Sequence, residues 1–144
     1  MKIGFTGTRD DMTLWQRNTF RDLIIELSAG EELEFHQGCC LGADATATSL
    51  VAEHTKSKIL AYPCTIKSMT DANALKVSQT VQVIKPPLDR NKDIVNASDI
   101  LIACPNGPEV LRSGTWSTVR YARKQNKRII IIWPDGTITK ENHE

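Results

Sequence analysis

The segment Arg112-Ser113-Gly114-Thr115 sets a cation, two hydroxyls and a glycine where an amphipathic helix should begin. Those residue types suit an anion. The first turn of a helix leaves N–H groups without intrahelical partners and carries the positive end of the macrodipole. Ser113 and Thr115 add hydroxyl donors, and Gly114 lets the backbone approach a phosphate with no Cβ in the way. Three other loops carry related chemistry: Gly7-Thr8-Arg9, the run Gly38-Cys39-Cys40-Leu41-Gly42-Ala43-Asp44, and Arg90-Asn91 after a Pro-Pro turn. Each has a plain structural reading when taken singly: Ser113 or Thr115 as a helix cap, the glycines as turns, the arginines as solvated charges, Cys39 and Cys40 as small loop residues.

The elements around these loops decide between the readings. Ile3 to Thr6 is a short apolar start. Thr13 and Gln16 fit a capping box, and Phe20, Leu23, Ile24 and Leu27 recur at helical spacing, which predicts a helix over Leu14 to Ser28 ended by Gly30 in a left-handed cap. A second strand follows at Leu33 to Gln37, a helix rich in small residues at Ala43 to His54, and a third strand at Ile59 to Tyr62. A short helix at Asp71 to Val77, a short strand at Val81 to Ile84 and a helix at Asp89 to Asn96 come next. Ile100 to Cys104 and Ile129 to Trp133 are near-continuous β-branched runs of the kind buried on both faces, with a helix at Thr115 to Gln125 between them. Strands separated by helices imply right-handed crossovers. The expectation is one α/β, Rossmann-like domain over 1–144, with a mostly parallel sheet of about five main strands and helices on both faces. Such sheets bind ligands beyond the carboxyl ends of their strands. All four loops fall on that edge, and this shared placement favours the functional reading.

Composition excludes several classes. The chain of 144 residues is 40% hydrophobic and 24% charged, which is ordinary for a globular domain. No apolar run approaches the length of a membrane span, and the polar N-terminus does not resemble a signal peptide. Four cysteines without metal-site spacing predict reduced thiols, a cytoplasmic protein and no metal. A formal charge of +1 argues against a nucleic-acid partner. The basic run Arg120, Arg123, Lys124, Lys127 and Arg128 sits at a helix C-terminus and reads as a solvated face. Missing G-x-G-x-x-G and G-x-x-x-x-G-K-[ST] patterns argue against an NAD(P) dehydrogenase and a P-loop hydrolase.

With the loops in order, the sequence resembles the SLOG superfamily, the Rossmann-like group that includes DNA-processing protein A, the Lonely Guy phosphoribohydrolases and YpsA-like proteins. The resemblance rests on Gly4 to Arg9, Gln37 to Asp44, Asp89 to Ala103 and the Arg112-Ser113-Gly114-Thr115 turn with its helix and strand. It implies a nucleotide or nucleotide-derived ligand and no separate cofactor. The phosphate would sit on Ser113, Gly114 and Thr115, flanked by Gly7, Thr8, Arg9 and Arg112. Arg90 and Asn91 would reach in, Gly42, Ala43 and Asp44 would face sugar or base, and Gly38, Cys39 and Thr118 would complete the ligand contacts. It also implies a homodimer or higher assembly. The phosphoribohydrolases carry a glutamate three residues after the glycine-threonine pair, where this chain has Thr118; Glu109 or Asp44 would have to supply the carboxylate. Three functions therefore compete: a nucleotide-sensing or sequestering module, a nucleoside-monophosphate N-glycosidase, and a single-stranded DNA binder, with the first favoured.

Overall fold

Hydrophobic periods that switch between two and 3.6 residues dictate alternating strands and helices, and the computed structural model, which describes residues 1–142, holds them in that order. The last two positions of the expected 1–144 domain lie outside the described residues. β1 (Lys2–Gly7), β2 (Glu34–Gln37), β3 (Lys58–Ala61), β4 (Thr80–Val81), β5 (Ile100–Cys104) and β6 (Arg128–Ile132) pair in parallel. β7 (Ile138–Glu141) closes one edge antiparallel to β6. The helices are α1 (Leu14–Ser28), α2 (Ala43–His54), α3 (Ala72–Lys76), α4 (Pro87–Ala97) and α5 (Gly114–Lys124), with a 3-10 turn at Lys67–Met69. The strand order is β4-β3-β2-β1-β5-β6-β7.

The sheet thus has seven strands rather than about five. β7 escapes pattern reading because Ile138 is its sole aliphatic residue and the strand is mostly exposed, so no alternation marks it. β4 contributes two residues at the opposite edge, just ahead of the expected Val81 to Ile84 segment.

Burial on both faces explains the β-branched runs. Ile100, Ile102, Ile130 and Ile132 point to one core, where Phe5, Phe20 and Phe35 meet with ring centroids 5.4 to 6.1 Å apart. Leu101, Ala103, Ile129 and Ile131 point to the other, against Trp116, Val119 and Ala122 of α5. α5 ends in a Schellman motif: Asn126 takes the left-handed conformation at φ 56°, and the Lys127 N–H donates to the Ala122 carbonyl at 3.0 Å. α1 does not end that way. Its cap residue Ala29 is right-handed and Gly30 lacks a positive φ, so Gly30 is not the left-handed cap.

The basic run is also less free than its position implied. Arg123 is held by Glu141 and by Glu109, each at 2.9 Å, and Arg120 reaches Glu109 at 3.2 Å. These pairs tie α5 to β7 and to the loop after β5. They are half exposed, so their value is positional more than energetic.

Gln16 joins two layers. Its backbone N–H and side-chain carbonyl complete the capping box with Thr13, while Nε2 donates to the carbonyls of Pro105 at 2.7 Å and Ile132 at 3.0 Å. The residue is 2% exposed, so both carbonyls lose their partner in a buried setting if the amide goes. Gln16→Leu is expected to lower stability by about 2–3 kcal/mol. Urea unfolding checks this, and a loss under roughly 0.5 kcal/mol would show that water replaces the amide.

Candidate ligand site at the carboxyl edge

β1 lies between β2 and β5, and the chain winds outward from β1 to β4 on one side and from β5 to β6 on the other. That reversal is the switch point where parallel sheets open a crevice. A cavity of about 480 Å³ occupies it, lined from the β1 loop by Gly7, Thr8, Arg9 and Asp10, and from the β5 loop by Asn106, Val110 and Arg112 to Thr115. Asp44, Arg90 and Asn91 line its remaining wall.

The α5 start holds the densest set of unspent donors. Ser113 caps the helix: its Oγ accepts from the Trp116 N–H at 3.2 Å. The N–H groups of Gly114 and Thr115 lie one turn too early for intrahelical bonds. The Thr115 hydroxyl makes no hydrogen bond among the described residues, although the residue is only 4% exposed. Arg112 stands beside them, exposed and without an ion-pair partner among the described residues.

Arg90 is a buried cation, 5% exposed, and most of its donors are spent. Nη1 donates to the carbonyls of Gly38 at 2.8 Å and Tyr62 at 3.0 Å, closing the ends of β2 and β3. Nε donates to Asn91 Oδ1 at 2.7 Å, which turns the Asn91 amide nitrogen toward other acceptors. Nη2 contacts Cys40 Sγ at 3.4 Å. Gly38 permits this approach, because a Cβ there would sit 2.5 Å from Arg90 Nη1.

Asp44 is buried in the first turn of α2 and accepts from the Cys40 N–H at 3.4 Å. Burial pushes its carboxyl up to about 6, against the opposing pull of the Arg90 guanidinium and the backbone N–H groups of Cys40 and Gly38. A carboxyl raised on folding binds its proton more tightly in the native state. Stability is therefore lost as pH rises from about 4 to about 6 and is level above that. Asp44→Asn removes the titration. The unfolding free energy of the variant relative to the parent should rise by up to about 3 kcal/mol between pH 4 and pH 7. Parallel pH profiles for the two proteins would contradict this assignment.

Five of the residues expected in the site stand behind it instead. Gly38 packs on Arg90 as above. Cys39, at φ 45°, turns its thiol into a small cluster with Ala61 and Ala74. Gly42 takes φ 86° and packs so closely on the Arg9 carbonyl that a Cβ would lie 2.0 Å from it. The Ala43 N–H donates to the Thr8 carbonyl at 3.0 Å, so the start of α2 supports the β1 loop. Thr118 closes its hydroxyl onto the Gly114 carbonyl at 2.8 Å inside α5. Glu109 also lies off the cavity, clasped by Arg120 and Arg123, which hold its carboxyl below the usual range. The thiols beside the site are not acidic: burial pushes Cys40 up to about 11 and Cys39 up to about 12.

Sequence reasoning missed part of the lining. Asp10, Asn106, Leu41, Met69, Leu88 and Val110 all face the cavity. Leu41 sits inside the expected Gly38 to Asp44 run, so loop membership was the one available signal for it, while Asp10 directly follows the Gly7 to Arg9 turn and Asn106 lies in the loop after β5. Met69 arrives through the segment after β3, where it receives Arg9 Nη2 at 3.2 Å from its Sδ.

No protein-family model matches the chain, and no curated protein matches it in sequence. Solved structures do. DNA processing protein A from Helicobacter pylori, described by its single-stranded DNA binding mode, aligns with a TM-score of 0.65 at 22% identity. That match covers 91% of this chain but 64% of the other, so this chain spans less than two thirds of that protein. The structural-genomics target TM1055 aligns with a TM-score of 0.64 at 12% identity, covering 89% of this chain and 71% of that one. The molybdenum cofactor carrier protein of Chlamydomonas reinhardtii aligns with a TM-score of 0.61 at 18% identity, covering 90% and 74%. With its mostly parallel sheet, its switch-point cavity and these neighbours, the chain has a Rossmann-like α/β fold shared with these proteins.

Proposed function

We propose that the chain, as one domain over 1–144, binds a phosphorylated nucleotide-class small molecule and senses or sequesters it without turnover. The observation that carries this is the start of α5: two free N–H groups, the Thr115 hydroxyl and Arg112 converge on a cavity of about 480 Å³. Unspent donors lining one cavity beside the positive end of a helix dipole suit a phosphate. The cavity is also of the size that holds a mononucleotide-sized ligand. The fold's use in a cofactor carrier is a precedent for holding a small molecule. Binding without turnover is favoured because Thr118 and Glu109 are both committed elsewhere by hydrogen bonds and ion pairs. On this reading the protein works in the cytoplasm, where its four free cysteines stay reduced, and as a homodimer or higher assembly.

Mass spectrometry of small molecules released from the purified, heat-denatured protein tests the reading, together with thermal shifts against a panel of nucleoside monophosphates. A nucleotide recovered intact, or a monophosphate that raises the melting temperature, is the expected result. Free base released on incubation would assign an N-glycosidase instead, with Asp44 and Asp10 as the carboxylates to replace. Retention of oligonucleotides on filters at low salt, with no response to mononucleotides, would assign single-stranded DNA binding.

A further inference from the structure

Three arginines line the cavity, and they are held in different places. Arg112 precedes α5, whose Trp116 and Val119 pack over β5 and β6. Arg90 spends most of its donors on the ends of β2 and β3. Arg9 follows β1, yet it is fastened to the loop after β2. Its carbonyl packs against Gly42, and its Nη2 donates to Met69 Sδ at 3.2 Å. Met69 is itself zipped to that loop. The Leu41 N–H donates to the Met69 carbonyl at 2.8 Å, Thr70 bridges Cys40, and the Asp71 N–H donates to the Cys39 carbonyl at 2.7 Å. Because β1 stands between β2 and β5, this corner lies two strand spacings, roughly 10 Å, from the start of α5. That length is comparable with the separation of phosphate and base in a nucleoside monophosphate. A phosphate held at α5 therefore sets the base against Arg9, Leu41 and Met69.

We infer that Arg9 reads the base of the ligand and selects a 6-oxopurine, an inference that rests on the nucleotide-binding reading of this cavity. Among the described residues the guanidinium has no partner besides Met69. One Nη2 hydrogen goes to the thioether, which leaves the other free to form a two-donor fork with Nη1 or Nε. Guanine and hypoxanthine present two neighbouring acceptors, O6 and N7, that such a fork matches. Adenine carries an amino group at position 6, so one donor of the fork would face another. Leu41 and Met69 supply apolar surface beside the fork, as a base ring needs. The Met69 contact also holds the arginine in place before the ligand arrives, which lowers the entropy lost on binding. Arg9 thus serves specificity at one end of the cavity, while the start of α5 supplies the anion site at the other.

Titration calorimetry of the full chain with guanosine, inosine, adenosine and cytidine 5′-monophosphates tests this. The two 6-oxopurine nucleotides should bind roughly 10- to 100-fold more tightly than the other two. Arg9→Met should remove that preference and leave the adenosine monophosphate affinity unchanged. Arg9→Lys should remove it as well, because an ammonium keeps the charge but lacks the fork. Arg9 is exposed, so both variants should fold, and thermal unfolding of the same samples checks it. If Arg9→Met does not fold, Arg9→Lys decides. Equal weakening of all four nucleotides by Arg9→Met would make Arg9 a phosphate ligand and overturn the inference, with the nucleotide reading intact. A preference for adenosine or cytidine monophosphate overturns it too, as does a 6-oxopurine preference that survives both substitutions. No binding of any of the four overturns the inference together with the reading it rests on.

Discussion

Arg90→Met should lower the unfolding free energy by about 3–5 kcal/mol at neutral pH, the cost of stripping one partner from a buried charged network. Methionine nearly matches the stem in volume, so the loss is not a cavity effect. It leaves the Gly38 and Tyr62 carbonyls without the Nη1 donor they share, at a place 5% exposed. It also leaves Asp44 without the cation that opposes its burial, so its carboxyl should climb further above 6. The double variant Arg90→Met with Asp44→Asn should therefore lose less than Arg90→Met alone, because no buried charge is left unopposed. Urea unfolding of the parent, both single variants and the double variant reads the coupling. An Arg90→Met loss below about 1 kcal/mol would show the guanidinium to be a ligand contact with little structural role.

Gly114→Asp should separate binding from folding. Gly114 is exposed, has an ordinary φ, and nothing lies within 4 Å of a Cβ built on it. It is also the first residue of α5, where an acid suits the helix dipole, so stability should hold or rise by about 0.5 kcal/mol. The same carboxylate faces the anion cradle. A like charge about 4 Å from a phosphate costs on the order of 4 kcal/mol near a protein surface. Affinity for the nucleoside monophosphate that stabilises the parent should fall at least about 100-fold. Titration calorimetry and thermal unfolding on the same samples make both readings. Unchanged affinity would move the phosphate away from α5 and remove the main support for the proposed function.

Much of the framework was legible because it follows from local rules. Thr13 and Gln16 announced the start of α1, and the capping box forms. The β-branched runs at Ile100 to Cys104 and Ile129 to Ile132 announced strands buried on two faces, and side-chain alternation then places successive residues in opposite cores. β7 was hidden, since an edge strand that buries little has no pattern to show. Among site residues, the Ser113 to Thr115 turn was legible as a helix start with spare donors. The division of labour in Gly38 to Asp44 was not. Whether a loop residue faces a ligand or braces a neighbouring loop depends on what packs against it from distant parts of the chain.

The sequence by itself determined the alternation of strands and helices, the glycine and hydroxyl turns, and their common edge, because each depends on residues a few positions apart. Only the tertiary structure decided which of those groups remain free. Arg90, distant in sequence from Gly38 and Tyr62, spends its donors on their carbonyls. Glu109 is spent on Arg120 and Arg123, and Thr118 on its own helix. The start of α5 keeps its donors because the neighbouring loops stop short of it and leave a cavity. Hydrogen-bonding capacity is written in residue type, but its saturation is set by contacts made through space.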